Sequence, residues 1–170
     1  KPRRTEEEII KECPWATTGR VGGRKPNIIT SLELRSEEME VINLRIQKKY
    51  KEIEEREVRF EEYLLEDAEY AIVAFGSAAR IAKKSIEIAR SQGVKVGLLR
   101  PITLWPFPTK EVQKLASKVK GILSLEINAG QMVEDIRLAV EGKVPVQHFG
   151  RLGGIIPDPD EVVDAIKRLF

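Results

Sequence analysis

The 170-residue chain reads as an α/β protein: a mainly parallel sheet with helices on both faces, preceded by a loop and a long charged helix. Three observations predict that class. Beyond residue 67, short apolar runs alternate with amphipathic stretches in the order β-α-β-α-β-α-β-α, and a parallel sheet joined by crossover helices is what buries such runs on both sides. Glycine or proline stands at most junctions of that region, at Gly93, Pro108, Gly121, Gly142 and Pro159, where helices stop and start. With 42% hydrophobic residues the chain also has the material for a core.

Residues 1–35 form an N-terminal loop or linker segment. A short helix over residues 5–12 opens it, because Thr5 and Glu8 have the spacing of a reciprocal capping box. Pro14, Gly19, Gly22, Gly23 and Pro26 then crowd into residues 14–27, a density that makes a loop. Residues 36–67 hold the clearest helix, over 36–66, with Ser36 as N-cap. Met39, Ile42, Ile46, Ile53, Phe60 and Tyr63 follow at three-four spacing. Lys49 and Arg56 fall on the same seam, so a self-sufficient coiled coil is not expected. Most other positions are charged, the pattern of a solvated face on a helix lying along a domain.

Residues 68–170 form the α/β domain. The expected strands are 70–75, 94–99, 122–127 and 144–149. The expected helices are 78–91, 109–119 capped by Thr109, 130–140, and 159–169 with Asp158 as cap and Pro159 in its first turn.

Composition narrows the chemistry. One cysteine, Cys13, excludes an internal disulfide framework and a cluster on four local thiolates, and one histidine, His148, excludes the usual multi-histidine zinc site. A reduced, cytoplasmic protein with no metal of its own is expected. A net charge of +2 argues for neither nucleic acid nor an anionic membrane as partner. No run approaches the ~20 apolar residues of a membrane helix. The chain opens on Lys1 without an initiator Met or a signal-peptide pattern, which suggests a processed or truncated piece. Charged residues at 33%, against eight Asn and Gln, lean toward a thermophilic source.

Two glycine segments resemble phosphate loops and fall short. Gly76-Ser77 opens a helix after a strand, but residues 76–81 supply one glycine of the three in G-x-G-x-x-G, leaving an ordinary tight turn. Residues 19–25 place Arg24 where a P-loop needs its second glycine, and no strand precedes them, which leaves a basic surface loop.

The strand ends are more informative. Residues 100–108 carry Arg100, Thr103, Trp105 and Phe107 among Pro101, Pro106 and Pro108, at the carboxyl edge where open α/β sheets meet ligands and partners. Rings in a stiffened loop either pack beneath their own helix or anchor another domain or subunit. After the third strand come Glu126, Asn128 and Gln131. Glu126 could act as a general base if burial raised its pKa, but no nucleophile or second carboxylate accompanies it, so hydrogen bonding of the following turn is the expected role. His148 is expected to be a satisfied structural histidine and Cys13 to be inert.

Residues 22–26, 100–108, 126–135 and 150–154 together resemble the α subunit of 2-oxoacid:ferredoxin oxidoreductases, most of all the branched-chain 2-oxoisovalerate type. The resemblance covers about residues 14–170 and concerns the carboxyl-terminal part of that subunit. It implies a fold like the transketolase C-terminal domain, a five-stranded mixed sheet whose fifth strand is sought near residues 28–34. The implied activity is oxidative decarboxylation of a 2-oxoacid to acyl-CoA and CO2, with electrons passed to ferredoxin. The complex would use thiamine diphosphate, Mg, iron–sulfur clusters and coenzyme A. Its other members would be a thiamine diphosphate-binding β subunit, a γ subunit and a ferredoxin-like δ subunit. This piece alone is expected to bind none of those cofactors and to be inactive, serving assembly and the shape of the active-site edge. The resemblance assigns no catalytic residue here; Arg100, Thr103, Trp105, Phe107, Glu126, Asn128 and Gln131 are the docking candidates. The competing reading is a non-catalytic interaction module that docks a partner through the charged helix 36–66.

Overall fold

A computed structural model describes residues 4–13, 15, 19–23 and 25–169. Pro14, residues 16–18 and Arg24 of the glycine-rich loop lie outside the described residues. The chain divides into two units, Lys1–Arg45 and Ile46–Phe170.

In the first unit, α1 (Glu6–Glu12) starts with the expected capping box: the Glu8 amide donates to Thr5 Oγ1 and the Thr5 amide to Glu8 Oε2. A single 3-10 turn spans Val21–Gly23, and Asn27 Nδ2 donates to the Trp15 carbonyl at 3.0 Å. The fifth strand is not at residues 28–34. That segment belongs to no element, and Ile28, Ile29, Leu32 and Leu34 are exposed along it. The helix α2 (Ser36–Arg56) begins on Ser36 itself and buries none of its residues.

That helix stops at Arg56, well short of residue 66. The missing strand, β1 (Phe60–Tyr63), lies just beyond its end. Nothing in residues 57–59 breaks a helix by propensity. Tertiary pairing decides the matter, since the Arg59 carbonyl accepts from the Ile102 and Thr103 amides and β1 runs antiparallel to β3.

The other elements of the second unit are β2 (Tyr70–Ala74), α3 (Gly76–Ser91), β3 (Val96–Pro101), α4 (Thr109–Ala116), β4 (Gly121–Glu126), α5 (Met132–Val140), β5 (Val146–Gly150) and α6 (Pro159–Lys167). They form a five-stranded sheet in the order β1-β3-β2-β4-β5, parallel except for β1. Side-chain alternation divides the core. Ile72, Ala74, Leu98 and Leu125 meet α3 and α6 on one face, whereas Ala71, Val73, Leu99 and Ile122 meet α4 and α5 on the other. The chain moves one way across the sheet through α3 and the opposite way, on the opposite face, through α4 and α5. All three crossovers therefore share one hand.

Two helix starts bear on the expected caps. Thr109 is the first residue of α4, with Pro108 at the cap position and no side-chain cap, so the expected Thr109 cap is absent. Asp158 does cap α6, in a capping box with Glu161 and with Pro159 in the first turn. Gly97 shows how tightly the turn after β1 lies on β3: a Cβ there would stand 2.4 Å from the Leu64 carbonyl oxygen and 2.6 Å from Leu65 Cδ2. Gly97→Ala is expected to destabilise the domain by about 1–3 kcal/mol. The check is a lower urea midpoint at unchanged m-value.

Candidate functional site

The carboxyl ends of β2 to β5 lie along one edge of the sheet, and the direction of travel reverses between β2 and β4, the place where open α/β sheets bind ligands. Each strand end contributes a different kind of group to this edge.

At the end of β4, Glu126 is completely buried. Its Oε2 accepts from the amides of Gln131 at 3.1 Å and Met132 at 2.8 Å. Its Oε1 accepts from the Val133 amide at 3.0 Å and the Ser124 hydroxyl at 2.8 Å. The helix α5 has no cap from its own Gln131. Glu126 supplies one from the preceding strand, which folds residues 127–131 back over the sheet end. Burial pushes the carboxyl upward, but the Met132 and Gln131 amides and the Ser124 hydroxyl outweigh it and hold the group below the ordinary carboxylate value. That direction runs against a general base with a raised pKa, and the amides bonded to the carboxylate give Glu126 the turn-bonding role. Asn128 completes the turn through Oδ1, which accepts from the Gly130 amide at 2.7 Å. The Gln131 side chain is exposed.

His148 on β5 pairs in register with Ser124. Its Nε2 lies 3.9 Å from Glu126 Oε1, buried and without a hydrogen-bond partner, so the expectation of a satisfied histidine fails. Gly150 makes room for the ring. A Cβ there would come within 2.3 Å of the Asn128 carbonyl oxygen and 2.8 Å of His148 Cε1.

The segment after β3 splits its two aromatic residues. Phe107 is half-buried and packs on the core between sheet, α4 and α5, so its ring serves packing and is no protruding anchor. Trp105 points outward, 55% exposed, with its ring edge-to-face on Tyr50 of α2 at 5.3 Å and 74°. Thr103 pins this loop: its Oγ1 accepts from the Arg59 amide and donates to the Pro106 carbonyl, both at 3.0 Å. A cleft of about 740 Å³ runs beside the indole, with Val58, Phe60, Trp105 and Phe107 as apolar wall and Lys51 and Lys110 among the polar groups. Ile102 and Leu104 are exposed nearby.

Arg100 faces the opposite side of β3's end. Its Nη1 donates to Glu61 Oε2 at 2.9 Å across the β1–β3 register, and Lys83 of α3 reaches Glu61 Oε1 at 2.5 Å. Hydrogen bonds from Lys83 and then Arg100 hold the Glu61 carboxyl below its ordinary value. The structure thus brings Thr103 and Trp105 together and joins Asn128 and Gln131 through Glu126. It sets Arg100 apart in an ion-pair group that sequence reading missed, along with Glu61, Tyr50 and the contact of His148 with Glu126. Glu61 was hidden because it sat within an apparent helix, and Phe60-Glu61-Glu62-Tyr63 carries no apolar alternation that marks a strand.

This edge offers shape, apolar surface and fixed hydrogen bonds. Among the described residues no three His, Cys, Asp or Glu side chains converge to hold a metal ion, and no helix is long and apolar enough to cross a membrane.

Residues 68–162 match the family described as pyruvate:ferredoxin oxidoreductase core domain II. The chain belongs to that family. As a core domain II chain it is 42% identical to the ketoisovalerate oxidoreductase subunit VorB of Methanothermobacter thermautotrophicus, across 99% of its own length and 48% of the relative. It therefore spans about half the length of that curated relative. Its fold is shared by a 2-oxoglutarate:ferredoxin oxidoreductase from Magnetococcus marinus, solved with 2-oxoglutarate, coenzyme A and succinyl-CoA bound. The TM-score is 0.73 at 21% identity, covering 91% of this chain and 28% of that one. A split gene transketolase, an inactive β4 tetramer, matches at TM-score 0.55 and 15% identity, over 64% of this chain and 41% of that one. The expected relation to the transketolase C-terminal fold and the mixed five-stranded sheet agree with these likenesses.

Proposed function

We propose that the chain is core domain II of the α subunit of a cytoplasmic 2-oxoacid:ferredoxin oxidoreductase of the branched-chain type, and that it serves assembly and the shape of the active-site edge. The observation that carries this reading is the 42% identity to a ketoisovalerate oxidoreductase subunit over 99% of the chain. The carboxyl edge supports the division of labour. Glu126 is committed to α5, and the groups that remain free are surfaces such as Trp105, Ile102 and Leu104.

Partners on this reading are a thiamine diphosphate-binding β subunit, a γ subunit, a ferredoxin-like δ subunit and, as electron acceptor, ferredoxin. Thiamine diphosphate with Mg supplies the decarboxylation chemistry when bound, and coenzyme A takes the acyl group. The donor set of this chain does not fit an iron–sulfur cluster: Cys13 is one thiol where four are needed. Electron transfer is therefore assigned to groups outside this chain. The chain's own residues orient the edge. Thr103 fixes the Trp105 loop, and Glu126 fixes residues 127–131, which present Gln131.

The test is to assemble the whole subunit with its partners and measure coenzyme A-dependent reduction of ferredoxin. The expected result is a higher kcat/KM for 2-oxoisovalerate than for 2-oxoglutarate or pyruvate. A preference for either of the latter overturns the substrate class, and a subunit that forms no complex overturns the assembly role.

A further inference from the structure

The helix α2 carries apolar residues on two opposite sides. Met39, Ile42, Ile46 and Ile53 share one side and are half-buried. Val41 and Leu44 stand on the other, 67% and 64% exposed. Around that second pair the charges fall in blocks, with Glu37, Glu38 and Glu40 before it and Arg45, Lys48 and Lys51 after it. We propose that this face of α2 pairs antiparallel with the same face of a second copy of the chain.

The order of the charges selects the occupant. Glu37, Val41, Leu44 and Lys48 recur at alternating spacings of four and three, the stripe by which one helix meets another. Turning a second copy end for end, about a two-fold axis between residues 42 and 43, sets Val41 against that copy's Leu44 and Leu44 against its Val41. One turn further out, Glu37 meets Lys48 at both ends, and on the flank Glu38 comes beside Arg45. The two-fold axis makes every such contact twice. A parallel pair in register instead sets Glu37 on Glu37 and Lys48 on Lys48, which repels. A partner of uniform charge is attracted by one block and repelled by the other. The helix therefore complements its own reverse better than either alternative.

The groups this pairing uses are still available. Among the described residues Glu37, Arg45 and Lys48 are exposed and enter no ion pair, and Glu38 pairs with Arg35 of its own chain. The apolar centre is four side chains in the dimer, so the association is reversible and its register rests on the ion pairs. Single exposed pairs contribute little, and it is their repetition across the axis that adds up. Tyr50, which braces Trp105, is not on this stripe, so the pairing leaves the Trp105 surface free and goes beyond the assembly role.

Sedimentation equilibrium of the chain over a range of concentration and salt reads this directly. A reversible monomer–dimer equilibrium that weakens as salt rises is expected. Glu37→Lys and Lys48→Glu should each raise the dimer Kd at least about tenfold, because each exchanges two attractions for two repulsions. Mixed in equal amounts, the two variants should associate about as tightly as wild type, since the reversed charges then meet each other. Leu44→Gln, a change at an exposed position, should also raise the Kd at least about tenfold with an unchanged denaturation midpoint. Trp105→Ala should leave self-association as it is, which keeps a failure here distinct from a failure of the assembly role. A chain that stays monomeric at every concentration overturns the pairing. So does a dimer indifferent to Leu44→Gln, one lost in Trp105→Ala, or a pair of folded charge variants that do not rescue each other.

Discussion

Glu126→Gln is expected to lower the unfolding free energy by about 2–3 kcal/mol, the range for charge-assisted hydrogen bonds lost and a buried donor left unsatisfied. The hydrogen-bond geometry sets that cost. Each carboxylate oxygen takes two donors: Oε2 receives the Gln131 and Met132 amides, and Oε1 receives the Val133 amide and the Ser124 hydroxyl. An amide in its place presents one NH2, and either orientation sets donor against donor at a fully buried site. If the NH2 takes the Oε1 position the Ser124 hydroxyl can turn to accept, but the Val133 amide cannot. Ser124→Ala is therefore the mild comparison, costing about 1 kcal/mol.

Acid titration separates a lost charge from a packing fault. The folded-state carboxyl of Glu126 lies below its unfolded value. Its contribution is thus fully present above the unfolded carboxylate pKa and disappears as pH falls through the folded one. Glu61, lowered by Lys83 and Arg100, acts in the same direction. Wild-type stability should fall on acidification below the ordinary glutamate range, and Glu126→Gln should show a shallower fall from a lower plateau. Parallel curves for the two proteins would show that the carboxylate's charge is not what holds α5.

The same residue illustrates what the sequence could reveal. Glu126 sits at the end of an apolar run, and Asn128 and Gly130 follow with turn chemistry; that pattern points to a hydrogen-bonded turn, which is what forms. Strands β2 to β4 and their helices were legible for a related reason. A parallel strand buried on both faces reads as a continuous apolar run, and Gly or Pro punctuates its ends. β1 obeys neither rule. Its half-buried positions are Glu61 and Tyr63, and Phe60 is exposed, so a carboxylate stands where the pattern calls for an apolar residue. Three-four spacing from Ile53 through Phe60 to Tyr63 then extended the helix by pattern alone. Pairing with Lys83 and Arg100 makes Glu61 acceptable there, and both partners are remote in sequence. His148 was opaque in the same way, since its neighbour Glu126 is reached only across the β4–β5 register.

Trp105→Ala is expected to weaken association with the partner subunits by about 2 kcal/mol or more, roughly a 30-fold rise in Kd, with little change in the stability of the domain itself. The size of that loss depends on the proposed assembly role. The indole is more than half exposed, so truncation leaves no internal cavity. It is nonetheless prearranged, braced on Tyr50 and carried by a loop that Thr103 and the buried Pro106 hold in place. A large ring fixed in advance loses little conformational freedom on docking, which is what makes such residues dominate interfaces. Phe107→Ala supplies the opposite control. Its ring packs on the core, so truncation should cost about 2 kcal/mol of domain stability and change the Kd of the remaining folded protein far less. The decisive comparison is therefore a pair of measurements on each variant, chemical denaturation of the chain and binding of the partner subunits. If Trp105→Ala binds as tightly as wild type, or if it unfolds as readily as Phe107→Ala, the indole is a packing residue and the docking surface must be sought elsewhere on the carboxyl edge.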